Sequence, residues 1–199
     1  MKKVLGIDAK LDEIEFPGKT DPMVLIELAG MHGVDESQTR PRMKTLVESM
    51  VAYVEQHISE EALHPLPGVV RLLRTLRSQH AELGLVTGSF EPIAYTKVAK
   101  AGISSYFQSG IGGFGSDSED RAEMIRIAMS RAREKIKTRF SAIYVGDTPR
   151  DVRAGHSAKL RVIAVATGGF SSKELKECGA DLVVANLSNQ DEFVGFLGP

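Results

Sequence analysis

The run Tyr144-Val145-Gly146-Asp147-Thr148-Pro149-Arg150-Asp151 carries two carboxylates four residues apart, directly behind the apolar stretch Ala142-Ile143-Tyr144-Val145. If that stretch is a buried strand, both acids lie at its carboxyl end and in the first turn of the helix that follows. Hard oxygen ligands on a rigid edge suit Mg²⁺. That ion takes one or two protein carboxylates, keeps several waters, and completes its shell from a phosphate. Acidic residues also favour helix N-termini for capping alone, and capping explains the same letters without chemistry.

Two further places could hold an anion. Leu85-Val86-Thr87-Gly88-Ser89 ends another apolar run, where the Thr87 hydroxyl and the Gly88 and Ser89 amides could bind a phosphate oxygen. A Thr-Gly-Ser turn is more commonly a helix cap. The polar loop Gly115-Ser116-Asp117-Ser118-Glu119-Asp120-Arg121 enters the helix ahead of the Asp147 strand. Arg121 would supply a fixed positive charge there, although a solvated arginine is the commoner outcome.

The elements that position these residues follow from hydrophobic periodicity. Leu83 to Val86, Ala142 to Val145, Val162 to Ala166 and Leu182 to Val184 are short apolar runs of the buried-strand kind. Between them lie helical patterns, one near Pro92 to Ala101 and one with Ile125, Ala128, Met129 and Ala132 on a single face. Strands separated by helices imply right-handed crossovers and a parallel sheet covered on both faces, with ligands at the strands' carboxyl ends. The first sixty or so residues differ. Met43, Leu46, Val47, Met50, Val51, Val54 and Ile58 recur at spacings of three and four, a helix stripe that faces a core. Pro65, Pro67 and Gly68 then break the chain before a helix bearing Val69, Leu72, Leu73 and Leu76. The expectation is an α/β fold of two parts, a helical segment over residues 1–64 and an α/β core over 65–199.

The order strand-Thr87, cationic Arg121 at a helix start, then strand-Gly146-Asp147-x-x-x-Asp151 resembles motifs two, three and four of the haloacid-dehalogenase-like (HAD) superfamily. The resemblance covers essentially the whole chain, and Gly146 to Asp151 is its most specific part. Among HAD branches the chain is similar to the phosphoglycolate-phosphatase-like group, whose small helical cap is inserted between motifs one and two. This implies a Rossmann-like parallel sheet with helices on both faces plus a small α-helical cap. It also implies that Asp147 binds magnesium with Asp151 as a second metal carboxylate beside it. Thr87, helped by the Gly88 and Ser89 amides, and Arg121 would hold the transferring phosphoryl group. Thr87, Arg121 and Asp147 are thus the catalytic candidates. Arg121 stands where the superfamily ordinarily has lysine, which keeps the charge but moves its donors.

The family's first motif is an apolar strand ending in Asp-x-Asp-Gly-Thr, whose first aspartate attacks phosphorus and whose second is general acid and base. No Asp-x-Asp occurs in this sequence. Val4-Leu5-Gly6-Ile7-Asp8 imitates a strand followed by an aspartate, but Lys10 stands where the acid belongs and cannot replace it at neutral pH. Met1 to Ile7 therefore reads as the end of the first cap helix, because Phe16-Pro17-Gly18-Lys19-Thr20-Asp21-Pro22 resembles the cap loop after it. Asp8 as nucleophile is the alternative. On the favoured reading the first, central strand lies upstream of Met1, and the two strands it would separate lack a partner. Each unsatisfied buried backbone group costs on the order of 1–3 kcal/mol, so the chain alone is expected to be poorly soluble or partly open unless Lys3 to Asp8 folds back as a substitute strand.

Lys19, Thr20 and Asp21 would be cap residues facing the substrate; the simpler reading is a helix N-terminus capped by Thr20 or Asp21, with Pro22 in its first turn. Gly18-Lys19-Thr20 is not a nucleotide-binding loop, since Glu13 stands where the required glycine would be.

Composition narrows the partners. With 25 basic and 26 acidic side chains and a net charge of −1, nothing marks a nucleic-acid-binding face. No apolar stretch has the length of a membrane helix, and the single cysteine, Cys178, has no disulfide or zinc companions. The five histidines show no ligand spacing. A cytoplasmic enzyme is expected, a magnesium-dependent phosphatase acting on a small phosphorylated metabolite. A phosphoglycolate-like compound or a sugar phosphate would be hydrolysed through an aspartyl-phosphate. A catalytically inactive HAD-fold binding protein is the competing expectation, and a dehalogenase a third.

Overall fold

The structure is a computed structural model and describes residues 1–15, 18–59 and 62–198. Phe16 and Pro17, which open the expected cap loop, lie outside the described residues. In chain order the helices are α1 (Lys2–Leu5), α2 (Asp21–Met31), α3 (Glu36–Thr39), α4 (Met43–His57), α5 (Val69–Ser78), α6 (Glu91–Lys100), α7 (Arg121–Lys135), α8 (Pro149–Ser157), α9 (Ser172–Glu177) and α10 (Asp191–Leu197). The strands are β1 (Leu85–Thr87), β2 (Gly112–Phe114), β3 (Ile143–Gly146), β4 (Arg161–Val165) and β5 (Leu182–Val184). The chain forms two compact units. One comprises Met1–His64, Thr87–Ser104 and Gly113–Glu119; the other comprises Pro65–Val86, Ser105–Gly112 and the chain from Asp120 onward.

The first unit is built on the α4 stripe. Leu46 and Val54 are buried with Leu25 of α2 and with Phe90 and Ile93 at the start of α6, while Met43, Val47, Met50, Val51 and Ile58 pack against the same cluster. Met1, Val4 and Leu5 join it from α1. Gly6 ends α1 in the left-handed conformation at φ 74°, so Lys3 to Asp8 forms no strand. Asp8 is exposed and lies 3.6 Å from Lys2. Leu46 is 1% exposed, so Leu46→Ala is expected to destabilise this unit by about 3 kcal/mol through lost burial and the cavity left behind. Urea unfolding measures it. A loss below about 1 kcal/mol would show that the site collapses around the smaller side chain.

In the second unit β3, β4 and β5 form a parallel sheet in that order, with Tyr144 opposite Val162 and Ile163 opposite Leu182. Helix α8 carries the chain from β3 to β4, and α9 from β4 to β5. Alternate residues of β4 face opposite cores, as the two-residue period of a strand requires. Val162 and Ala164 pack with Tyr144 against Ala122 and Ile125 of α7, Val152 and Ala154 of α8, and Leu175 of α9. Ile163 and Val165 pack with Val184 against Leu72 and Leu76 of α5 and Phe193 of α10. A strand buried on both faces reads as an unbroken apolar run, which is why it was legible.

The pair β1–β2 forms a separate two-stranded sheet, and among the described residues no ladder joins it to β3–β4–β5. Thus β3 is an edge strand, and its Val145 side chain is 43% exposed. Strand β2 was not foreseen. Two of its three residues are glycines, which carry no strand signal, although all three are buried and Phe114 is fully so. Among the described residues no helix is long and apolar enough to cross a membrane.

Candidate functional site

The turn from β3 into α8 is shaped by one carboxylate. Thr148 is the N-cap of α8, and its hydroxyl oxygen accepts from the Asp151 amide at 3.1 Å. In return Asp151 Oδ2 accepts from the Thr148 amide at 3.1 Å, the Thr148 hydroxyl at 2.7 Å and the Asp147 amide at 3.3 Å. This is a reciprocal capping arrangement with Pro149 at the first helical position. It needs Gly146, because a Cβ there would lie 2.3 Å from the Asp151 Cβ. Asp151 is consequently 4% exposed.

The other Asp151 oxygen, Oδ1, accepts from the Tyr144 hydroxyl at 2.8 Å and lies 3.3 Å from Arg121 Nη1. Arg121 is the first residue of α7, whose start is fixed by Asp120 accepting from the Ala122 amide at 2.9 Å. Burial works against the Arg121 charge, but Asp151, Tyr144 and Asp147 outweigh it and raise the guanidinium pKa. Tyr144 is 7% exposed. Burial, then the Asp151 charge, push its hydroxyl pKa well above normal, so it is a permanent donor.

Asp147 differs from Asp151 in being exposed. Desolvation of its carboxyl group, and after it the charge of Asp151, hold its pKa above the usual aspartate range, while its own amide and Arg121 pull the other way. Its Oδ2 atom approaches the chain after β4 so closely that a Cβ on Gly168 would lie 2.5 Å away. An exposed carboxylate whose ionisation is opposed by a second acid is a place where a divalent cation relieves the repulsion. Among the described residues no three His, Cys, Asp or Glu side chains gather into a metal-binding cluster. One or two carboxylates are, however, the usual protein share of a Mg²⁺ shell, so the exposed Asp147 fits that ion, whereas Asp151, expected as a second metal carboxylate, is buried with both oxygens engaged by protein donors.

In the first unit Thr87, Gly88 and Ser89 lie against the residues that precede and open α2. The Gly88 carbonyl accepts from the Asp21 amide at 2.8 Å, and the Ser89 carbonyl accepts from the Gly115 amide at 2.9 Å. Three backbone segments meet so tightly that a Cβ on Gly88 would lie 2.9 Å from the Lys19 carbonyl oxygen, and one on Gly115 would lie 2.0 Å from the Gly88 oxygen. Thr87 Oγ1 accepts from the Ser89 amide at 3.2 Å, and Lys97 Nζ donates to Ser89 Oγ at 3.3 Å. Asp21 Oδ2 accepts from the Phe90 amide at 3.0 Å. Thr20, 2% exposed, caps α2 by accepting from the Met23 amide at 3.4 Å, with Pro22 in the first turn. Lys19 forms an ion pair with Glu27.

Arg121, Asp147 and Asp151 are therefore brought together in one unit. Thr87, Gly88, Ser89, Thr20 and Asp21 are brought together in the other. Three contributors were not foreseen. Tyr144 reads as an ordinary core residue of an apolar strand, Gly168 as a loop glycine, and Lys97 as a helix-surface cation eight residues beyond Ser89.

Burial raises the Asp21 pKa, against the opposing pull of the Phe90 amide, Lys97 and Ser89. A raised acid pKa means that ionised Asp21 opposes folding at neutral pH. The penalty disappears as pH falls from the folded pKa through the unfolded value, roughly 3.9. Asp21→Asn keeps an acceptor for Phe90 without the charge. It is expected to match or exceed the unaltered chain in stability at pH 7, and to lose that advantage near pH 4. Urea midpoints at both pH values decide it. A variant markedly weaker at pH 7 would show that the Asp21 charge stabilises this loop.

The profile of the haloacid dehalogenase-like hydrolases matches residues 15–165. Phosphoglycolate phosphatase 1 of Pseudomonas aeruginosa is 27% identical over 157 residues, 78% of this chain and 54% of that protein. The phosphoglycolate phosphatase of Rhodobacter capsulatus is 26% identical over 160 residues, 79% of this chain and 69% of that protein. This chain thus spans little more than half the length of the first of these relatives. Among solved structures, a hydrolase from Pseudomonas syringae superposes with a TM-score of 0.63 at 17% identity, covering 92% of this chain and 81% of that one. A β-phosphoglucomutase from Clostridium difficile gives a TM-score of 0.63 at 16% identity, covering 98% and 85%. The structural likenesses speak for the fold alone, while the profile spans most of the chain, including the Thr87, Arg121 and Asp147 segments. The chain belongs to the haloacid dehalogenase-like hydrolase family.

Proposed function

We propose that this chain is the greater part of a magnesium-dependent phosphatase-type hydrolase that cleaves a small phosphate monoester through an aspartyl-phosphate. The observation that carries the reading is the division of labour at the end of β3, where buried Asp151 fixes the turn and leaves the Asp147 carboxylate exposed. Asp147 would hold Mg²⁺, with Asp151 behind it as the carboxylate that fixes the turn and adds negative charge to the site. When bound, the ion neutralises charge on the phosphoryl oxygens. Arg121 would add a fixed positive charge to the same group, and the Thr87 hydroxyl with its following amides a hydrogen bond. The relatives named phosphoglycolate phosphatase support a phosphorylated small acid as substrate class; a sugar phosphate is the other candidate.

Because no Asp-x-Asp occurs in the 199 residues, the reading places the attacking aspartate on a strand not contained in them. The unpaired edge of β3 and the exposed Val145 side chain support such a strand docking beside Asp147. Fusing an apolar strand that ends in Asp-x-Asp-Gly-Thr ahead of Met1 tests this. The fused protein is expected to release phosphate from 2-phosphoglycolate or a generic aryl phosphate only with Mg²⁺, and to lose that activity on Asp147→Asn. Equal turnover by the unfused chain would refute the missing-nucleophile reading.

A further inference from the structure

Arg121 and Tyr144 reach the same oxygen of Asp151, the guanidinium at 3.3 Å and the hydroxyl at 2.8 Å. A buried carboxylate cannot be left without donors on one side, because losing a partner from such a pair is strongly destabilising. The proposed function nevertheless requires Arg121 to turn part of its donor set toward a phosphoryl group. Tyr144 resolves the conflict. It is the shorter of the two contacts, and its ring is fixed. Gly155 in the last turn of α8 makes room for it, since a Cβ there would lie 3.1 Å from Tyr144 Cδ1 and 2.4 Å from Val162 Cγ2. A glycine inside a helix costs roughly 1 kcal/mol relative to alanine, so this packing is maintained against helix propensity. We propose that Tyr144 is a positioning residue that holds Asp151, and through it the Asp147–Thr148 turn, while Arg121 serves a bound phosphoryl group. Without the hydroxyl, Arg121 is the remaining side-chain donor to Asp151 Oδ1 and is kept from the anion.

This inference rests on the phosphatase reading, and a double-mutant cycle separates the two. Inorganic phosphate is titrated calorimetrically, with Mg²⁺ present, into the unaltered chain, Tyr144→Phe, Arg121→Met and the double variant. Tyr144→Phe is expected to weaken phosphate binding about tenfold in the unaltered background and less than about twofold when Arg121 is already gone. A purely structural tyrosine would give the same factor in both backgrounds. That outcome, or an unchanged affinity in Tyr144→Phe, overturns the positioning role while leaving the phosphatase reading intact. If phosphate does not bind the unaltered chain, or binds it no better than Arg121→Met, Arg121 does not serve the anion and the positioning role is overturned, while the phosphatase reading stands or falls on the fused protein's turnover. Should Tyr144→Phe not fold, ζ-¹³C tyrosine in the unaltered chain gives the answer. The Tyr144 resonance is expected to move on phosphate addition as the guanidinium leaves the Asp151 oxygen that the hydroxyl shares with it, and a resonance that stays in place overturns the role.

Discussion

Asp151→Ala is expected to destabilise its unit by about 3 kcal/mol, the typical loss on removing one partner of a buried ion pair. The substitution removes the acceptor for the Asp147 and Thr148 amides and for the Thr148 hydroxyl, and it leaves Tyr144 without its acceptor and Arg121 without its buried counter-charge. It also removes half of the reciprocal cap of α8, which by itself contributes about 1 kcal/mol. Asp151→Asn retains the shape and one acceptor oxygen, so its loss should be clearly smaller. Guanidinium unfolding of both variants measures the difference. Equal losses would show that the charge of Asp151 matters less than its shape.

Asp147→Asn should leave stability at pH 7 unchanged or slightly raised, because desolvation and then the Asp151 charge oppose ionisation of this carboxylate, and should weaken Mg²⁺ binding about 100-fold or more. Changes even to groups behind a metal ligand reduce affinity by about 10- to 100-fold, and a direct carboxylate ligand has the larger effect. A proton competes with the metal for this group. Since desolvation and then Asp151 raise the Asp147 pKa, Mg²⁺ affinity should begin to fall with decreasing pH at a higher pH than an ordinary aspartate would dictate. Calorimetric titration across pH tests both effects. Unchanged Mg²⁺ affinity in Asp147→Asn would remove Asp147 from the metal site.

The separate standing of these two acids was not legible in the sequence. Their spacing places both at the start of α8 but does not say which turns inward. That depends on the missing Cβ of Gly146, which lets Asp151 close over the strand end, and on the Tyr144 hydroxyl waiting at the far side of β3. By contrast, β4 was readable because a strand covered on both faces must be apolar at nearly every position, β3 and β5 because each is a short apolar run, and α4 because one core-facing stripe repeats along four turns. The buried strand Gly112-Gly113-Phe114 gave almost no signal, since glycine contributes burial through its backbone alone. The Thr20 cap was readable from Thr-Asp-Pro, whereas the Asp21 contact with the Phe90 amide joins residues 69 positions apart and follows only from the fold.

The most direct test of the account is where a divalent ion settles on the folded chain. Mn²⁺ accepts the same oxygen ligands as Mg²⁺ and broadens the NMR signals of nearby nuclei. Titrated in trace amounts, it is expected to erase the amide resonances of Gly146, Asp147, Thr148 and Gly168 first, and excess Mg²⁺ should restore them. Loss of signal centred elsewhere, with those four amides untouched, would contradict a metal-dependent site at the end of β3.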